Sequence, residues 1–204
     1  MDSSKDTPQY RWPALPARYR LALQEAVRFI ARRFDPLGIL VCGSVIQQHP
    51  DRASDLDIHV IHALPVRQRI QKFFNRVPAE IFVNPPAAIE RYFEAEKERG
   101  RPCTAHMFST GFVVLNRHPS VTQLRRRARR ALKTPPNPSA ARLTELRYAA
   151  ADRYENALDI AEANPAGASL ILTLAVYQML HFCFWKSNLY LPRDKDLLPA
   201  VADL

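Results

Sequence analysis

Two acidic residues, Asp55 and Asp57, stand two positions apart in the alternating segment DLDIHVI. On an extended strand such residues share a face, with Cα atoms roughly 6.5–7 Å apart. Carboxylates so placed can converge on hard divalent cations about 3.5–4 Å from each other. Magnesium takes oxygen ligands, commonly one or two carboxylates together with substrate phosphates. Without a cation, two like charges on one face repel, so the pair is costly. Upstream, Gly43-Ser44 follows the apolar run LGILVC at Leu37–Cys42. Gly43 permits a close backbone approach, Ser44 offers a hydroxyl, and a helix starting there would aim free N–H groups at a phosphate. The chemistry in view is metal-assisted handling of a phosphorylated substrate.

The surrounding elements must hold these groups. Leu37–Cys42 reads as a buried strand, and Asp55–Ile61 as a strand of period 2. Leu56, Ile58 and Val60 would anchor the second strand in the core, with Asp55, Asp57 and His59 on the opposite face. Ahead of them, Leu23, Ala26, Val27, Ile30 and Phe34 recur at helical spacing within Arg18–Phe34, and Asp35-Pro36 ends that helix. Arg67–Phe74 and Ala79–Val83 read as two more strands around Asn75–Pro78, followed by a helix over Ala87–Arg99. Ser109-Thr110-Gly111 reads as a loop. From about Val121 the chain reads as helical: Val121–Leu132, then Ala140–Ala163 with Ser139 as N-cap, then Ser169–Ser187. The breaks are Pro135-Pro136-Asn137-Pro138 and Asn164-Pro165.

Gly-Ser, ten residues, then Asp-x-Asp in an alternating strand resembles the signature of the nucleotidyltransferase superfamily, the polymerase-beta-like fold. The likeness covers Leu37–Val83. It implies that Gly43 and Ser44 contact nucleotide phosphates and that Asp55 and Asp57 hold two Mg²⁺ ions. The family adds a third carboxylate on a later strand. Glu80 in AEIFVN is the candidate, as the only acid between Asp57 and Glu90, and it would serve as metal ligand and as general base toward an acceptor hydroxyl. The intervening VIQQHPDRAS lacks the additional small residues often found there. The helical half resembles that of small bacterial nucleotidyltransferases acting on aminoglycosides. By that likeness WKSNLYLPRDKDLL would bring Lys195 to the triphosphate and Trp185 to the acceptor pocket.

The resemblance implies an α+β fold: a small mixed β-sheet nucleotidyltransferase core over residues 1–118, followed by an all-helical domain over 119–204. It implies transfer of NMP from ATP or another NTP to an acceptor hydroxyl. The acceptor classes are a small molecule such as an aminoglycoside, a tRNA or other RNA, and a protein side chain as in toxin–antitoxin pairs. A non-catalytic module binding nucleotide or nucleic acid is the competing class, although a binding module has no need of three clustered carboxylates.

Length and composition set the outer bounds. The 204 residues suffice for one large or two small domains, and 47% hydrophobic with 24% charged residues is globular composition. Cys42, Cys103 and Cys183 lack CxxC spacing, which excludes a zinc ribbon and suits a reducing compartment. The six histidines show no HxxxH or HExxH spacing. His59 shares the carboxylate face and is a candidate substrate neighbour, and His181 reads as a core residue. The polar N-terminus is no signal peptide. Ala168–Trp185 reads as a buried helix, short for a span of about 20 residues. The expectation is a cytoplasmic protein without a membrane partner, whose C-terminal LLPAVADL is a helix cut short. The formal net charge of +9 favours anionic partners over a polycation. RRRARR at Arg125–Arg130 is either a solvated helix face or a phosphate-binding surface.

Overall fold

The structure is a computed structural model and describes residues 9–47, 54–202 and 204. Its first compact unit takes in the chain through Glu96 together with Cys103–Lys133, and its second takes in Lys97–Pro102 and Thr134–Leu204.

The first unit is built on a five-stranded sheet of order β3-β4-β2-β1-β5. The strands are β1 (Gly38–Cys42), β2 (Leu56–Ile61), β3 (Gln68–Phe74), β4 (Val77–Asn84) and β5 (Phe112–Asn116). β2 runs parallel to β4, and every other neighbour is antiparallel. All of β1 is buried, as its apolar run requires, because it lies inside the sheet with both faces covered.

On one face lies α1 (Ala17–Arg33), which inserts Ala22, Leu23, Ala26, Val27 and Ile30 against Ile39, Val41, Leu56, Ile58, Val60, Ile81 and Val83. Leu23, Ala26, Val27, Ile30, Leu56, Ile58 and Val60 are positions that the helical and alternating patterns assigned to the core, whereas Phe34 of the helical set caps α1 and is only partly buried. At about 1.5–3 kcal/mol per fully buried aliphatic side chain, this layer fixes β2 in the sheet. The other face is covered by α2 (Pro86–Glu98), α3 (Cys103–Thr110) and α4 (Pro119–Lys133), through Ile89, Phe93, Ala105, Phe108, Val121, Leu124 and Ala128. They meet Leu40, Cys42 and Ile61 from the sheet. His59, on that same face, is buried too.

Several boundaries differ from the sequence reading. The β3–β4 hairpin turns in two residues, Asn75 (φ 44°) and Arg76 (φ 61°), and not over 75–78. Positive φ at both centres is the geometry that matches the twist of a tight hairpin, and asparagine tolerates it. Pro78 lies inside β4, whose pairing with β3 continues past it to Val77. α3 and β5 were not foreseen as elements: Ser109 and Thr110 end a helix in which both hydroxyls donate to the His106 carbonyl. The expected boundary at 118/119 precedes α4, whereas the compact units divide after it, because α4 buries its apolar stripe in the first unit's core.

The second unit contains α5 (Ala140–Asp159), α6 (Pro165–Lys186) and α7 (Asp194–Val201). Ser139 caps α5 as its sequence suggests, accepting from the Arg142 N–H at 3.2 Å. Asn164 caps α6 in the same way through Gly167 N–H, and Pro165 occupies the first turn. Leu146, Phe184, Trp185, Leu191 and Leu197 form a small core. The expectation that the most apolar helix is buried is corrected here. α6 is long and apolar enough to cross a membrane by length and composition, and only 17% of its apolar window is buried within this chain. Leu170, Leu172, Leu174 and Val176 are exposed, since α6 packs against α5 and is apolar on all sides.

Because Ile58 joins α1 to the sheet with no exposure, Ile58→Ala is expected to destabilise the first unit by about 2–5 kcal/mol. Leu170→Ala on the exposed side of α6 changes stability by less than about 0.5 kcal/mol. Urea unfolding with separate probes of the two units measures both.

Candidate metal and nucleotide site

Cys42, Asp57, Glu80 and Gln71 lie side by side across four strands, because β1, β2, β4 and β3 are in register at that level. The next level on the same face is Leu40, His59, Phe82 and Arg69. Asp57 and Glu80 are thus direct neighbours on parallel strands, a juxtaposition fixed by the β2–β4 register. Asp55 lies just before β2, not within it as expected. One carboxylate oxygen from each of Asp55, Asp57 and Glu80 falls within a group in which all lie no more than 4.8 Å apart. All three residues are half-buried.

This geometry has an electrostatic cost. Burial, and then the Asp55 charge, push the Asp57 carboxyl up to about 6. Against an ordinary value near 3.8, that is about 3 kcal/mol against ionising Asp57 at neutral pH. Cys42, beside it in the register, is raised well above the usual thiol range by burial and then by Asp57, so it is no nucleophile. Its Sγ donates to the Met107 carbonyl. Three hard oxygen donors with a destabilised anion among them suit a hard divalent cation, and nitrogen or sulfur donors are not part of the group. Arg69 already supplies one positive charge here, pairing with Glu80 Oε1.

Gly43 fits this arrangement in a way the sequence does not reveal. Its φ is +83°, and a Cβ there would lie 2.5 Å from Asp57 Oδ2. Any side chain at 43 would strain the backbone and displace the carboxylate. The chain then turns, with Ile46 and Gln47 N–H groups donating to the Gly43 carbonyl. Residues 44–47 form a turn, so the helix whose N–H groups would point at a phosphate does not begin there among the described residues. Ser44 Oγ donates to Ser54 Oγ at 3.0 Å, joining the two sides of the segment that leads to Asp55. Residues 48–53 lie outside the described residues.

Beside the carboxylates, on the same sheet face, is a cavity of about 630 Å³. Its floor includes His59 and Phe82, whose rings stack at 4.9 Å. Its walls include Arg67, Arg69 and Tyr92, with the Arg67 guanidinium 4.7 Å from the Tyr92 ring centre. Glu96 is the only acid among the described lining residues, and it accepts from both the Thr104 N–H and hydroxyl at 2.6 Å. His59 lies next to the carboxylates, as its position in DLDIHVI implied. Burial pushes its imidazole down to about 4, so the ring is neutral. Arg67 and Arg69 were not singled out from the sequence. Arg69 lies in β3 and Arg67 just before it, and a two-residue turn at Asn75-Arg76 aligns Arg69 with Phe82.

Lys195 and Trp185 belong to the second unit. Lys195 is in the first turn of α7. Trp185 is 5% exposed and packs edge-on against His181, and a Cβ on Gly100 would overlap its indole. It is a core residue, in place of the acceptor-facing residue that the resemblance implied.

No family model and no curated protein matches the chain. Among solved structures it is similar to a nucleotidyltransferase-like protein from Exiguobacterium sibiricum 255-15, at 11% identity and a TM-score of 0.48. The alignment covers 90% of this chain and 65% of that one. At these values the likeness assigns no family, and the carboxylate geometry carries the functional reading.

The Asp57 shift makes stability depend on pH with a definite sign. A carboxyl raised from 3.8 to about 6 on folding binds more protons folded than unfolded between those values. The metal-free protein therefore loses stability as pH rises from about 4 through about 6. Asp57→Asn removes the buried charge and is expected to raise the melting temperature at pH 8 while changing little at pH 4. Mg²⁺ is expected to raise the wild-type melting temperature at pH 8, less at pH 5, and not in the variant. Thermal unfolding at the three pH values measures all of these.

Proposed function

We propose that this protein is a metal-dependent nucleotidyltransferase that moves NMP from a nucleoside triphosphate, ATP first among them, to an acceptor hydroxyl. The observation that carries this reading is the convergence of Asp55, Asp57 and Glu80, with Asp57 and Glu80 paired directly on neighbouring parallel strands. Asp55, Asp57 and Glu80 would hold Mg²⁺, which neutralises charge on the transferred phosphoryl group and on the attacking and leaving oxygens. Gly43 and Ser44 flank Asp57 from the β1 side and are assigned to the triphosphate. Glu80, on the β4 side, is assigned to accept the proton of the acceptor hydroxyl as its oxygen attacks the α-phosphorus and pyrophosphate leaves.

The cavity beside Glu80 is assigned to the acceptor. Its volume, about 630 Å³, falls within the range of about 300–1,000 Å³ common for small-molecule sites. A small hydroxylated acceptor is therefore favoured over a macromolecular one. Arg67 and Arg69 with a hydrogen-bonded Glu96 argue against a polycation such as an aminoglycoside in that cavity.

The test is Mg²⁺-dependent pyrophosphate release from each of the four NTPs, with and without acceptor panels of neutral and anionic alcohols, aminoglycosides, total tRNA and candidate proteins. Release is expected with one acceptor class, and Asp57→Asn is expected to lower it by at least about a hundredfold. Arg67→Ala is expected to raise the KM for the acceptor and leave the KM for the NTP unchanged. No release with any acceptor, alongside intact NTP binding, would sink the enzymatic reading in favour of a binding module.

A further inference from the structure

The cations of α4 are not used alike. Val121, Leu124 and Ala128 face the core, which turns the arginines outward. Arg125 is a structural anchor: its Nε donates to the Phe108 carbonyl at 3.2 Å and its Nη2 to the Gly111 carbonyl at 3.1 Å. Arg127 is paired with Glu90 at 2.9 Å and Glu94 at 3.7 Å on α2. Arg126, Arg129, Arg130 and Lys133 are exposed and, with Arg125 and Arg11, line a second cavity of about 550 Å³. Arg11 is held at its rim by its backbone N–H, which donates to the Val114 carbonyl on β5 at 2.8 Å. Among the described residues, no acid lines this cavity.

Like charges gathered around a concave surface without a carboxylate repel one another, and an anion relieves that cost. The cations are mostly arginines, whose forked donors match phosphate oxygens. Arg126, Arg129 and Lys133 follow one helical face. They span about 10 Å at 1.5 Å per residue, or about three nucleotide steps of 3.4 Å. The neutral side chains of Asn116 and Thr122 stand in the same lining and can hydrogen-bond to sugar or phosphate. A lipid surface fits less well, because α4 turns its apolar residues to the core and leaves none to insert between acyl chains. We infer that this cavity binds the phosphodiester backbone of a nucleic acid strand. The inference does not depend on the proposed transfer reaction.

The experiment is fluorescence anisotropy of labelled single-stranded RNA, the DNA strand of the same sequence and their duplexes, across a salt series. Wild type is expected to bind with an affinity that falls as salt rises. Arg126→Glu/Arg129→Glu is expected to bind at least about tenfold more weakly, with a log–log salt slope shallower by about 1.4 on single strands. Arg28→Glu/Arg32→Glu on α1 makes the same change in net charge and is expected to leave binding near wild type. Asp57→Asn is expected to bind as wild type, which separates this surface from the carboxylate site. Equal loss in both double variants, no loss in the α4 variant, or binding only to phosphatidylserine vesicles would each overturn the inference. Circular dichroism confirms that each variant is folded, and Arg126→Gln/Arg129→Gln, which removes the same two phosphate contacts and is expected to show the same change in slope, replaces any that is not.

Discussion

The level of the sheet occupied by Cys42, Asp57, Glu80 and Gln71 is the constraint on which the rest of the first unit depends. Two carboxylates are held as neighbours on parallel strands with a third close by, and nothing local favours that. Ionising Asp57 in this setting costs about 3 kcal/mol. The opposite face offsets it. Leu56, Ile58 and Val60 are fully buried against α1, and at about 1.5–3 kcal/mol each they exceed the penalty. The strand stays in register because slipping by one residue would put the carboxylates into that apolar layer.

The neighbouring positions follow from the same register. One level further along the face, Asp57 and Glu80 give way to His59 and Phe82, and the site passes from anionic to aromatic. Arg69 is aligned with Phe82 yet reaches back to Glu80, so the charged and aromatic levels share a residue. Gly43 completes the arrangement from the β1 side, where any Cβ would collide with the Asp57 carboxylate. Site and cavity are therefore one feature of the sheet, seen at successive levels.

The two units use apolar residues differently. In the first, the apolar stripes of α1 and α4 pack into the core, and α4 keeps most of its cations outside because its apolar residues are inside. In the second, α5 and α6 bury a short list of residues, and much of α6 remains exposed within this chain. The same apolar content thus gives a closed core in one unit and an open helical face in the other.

The amino-acid sequence by itself determined β1, β2, α1, the Ser139 cap and the pairing of Asp55 with Asp57, because each follows from a local period or a local hydrogen bond. It also marked Glu80, as the only acid between Asp57 and Glu90. Only the tertiary structure decided that Glu80 lies beside Asp57, since that depends on the long-range β2–β4 register. The tight turn at Asn75-Arg76, which aligns Arg69 with Phe82, α3 and β5 were settled there as well. So was the fate of the apolar runs: composition showed that α6 is apolar, but burial depends on what packs against it, and in this chain that is mainly α5. Periodicity records which face of an element is apolar, and contacts between elements distant in sequence decide what each face meets.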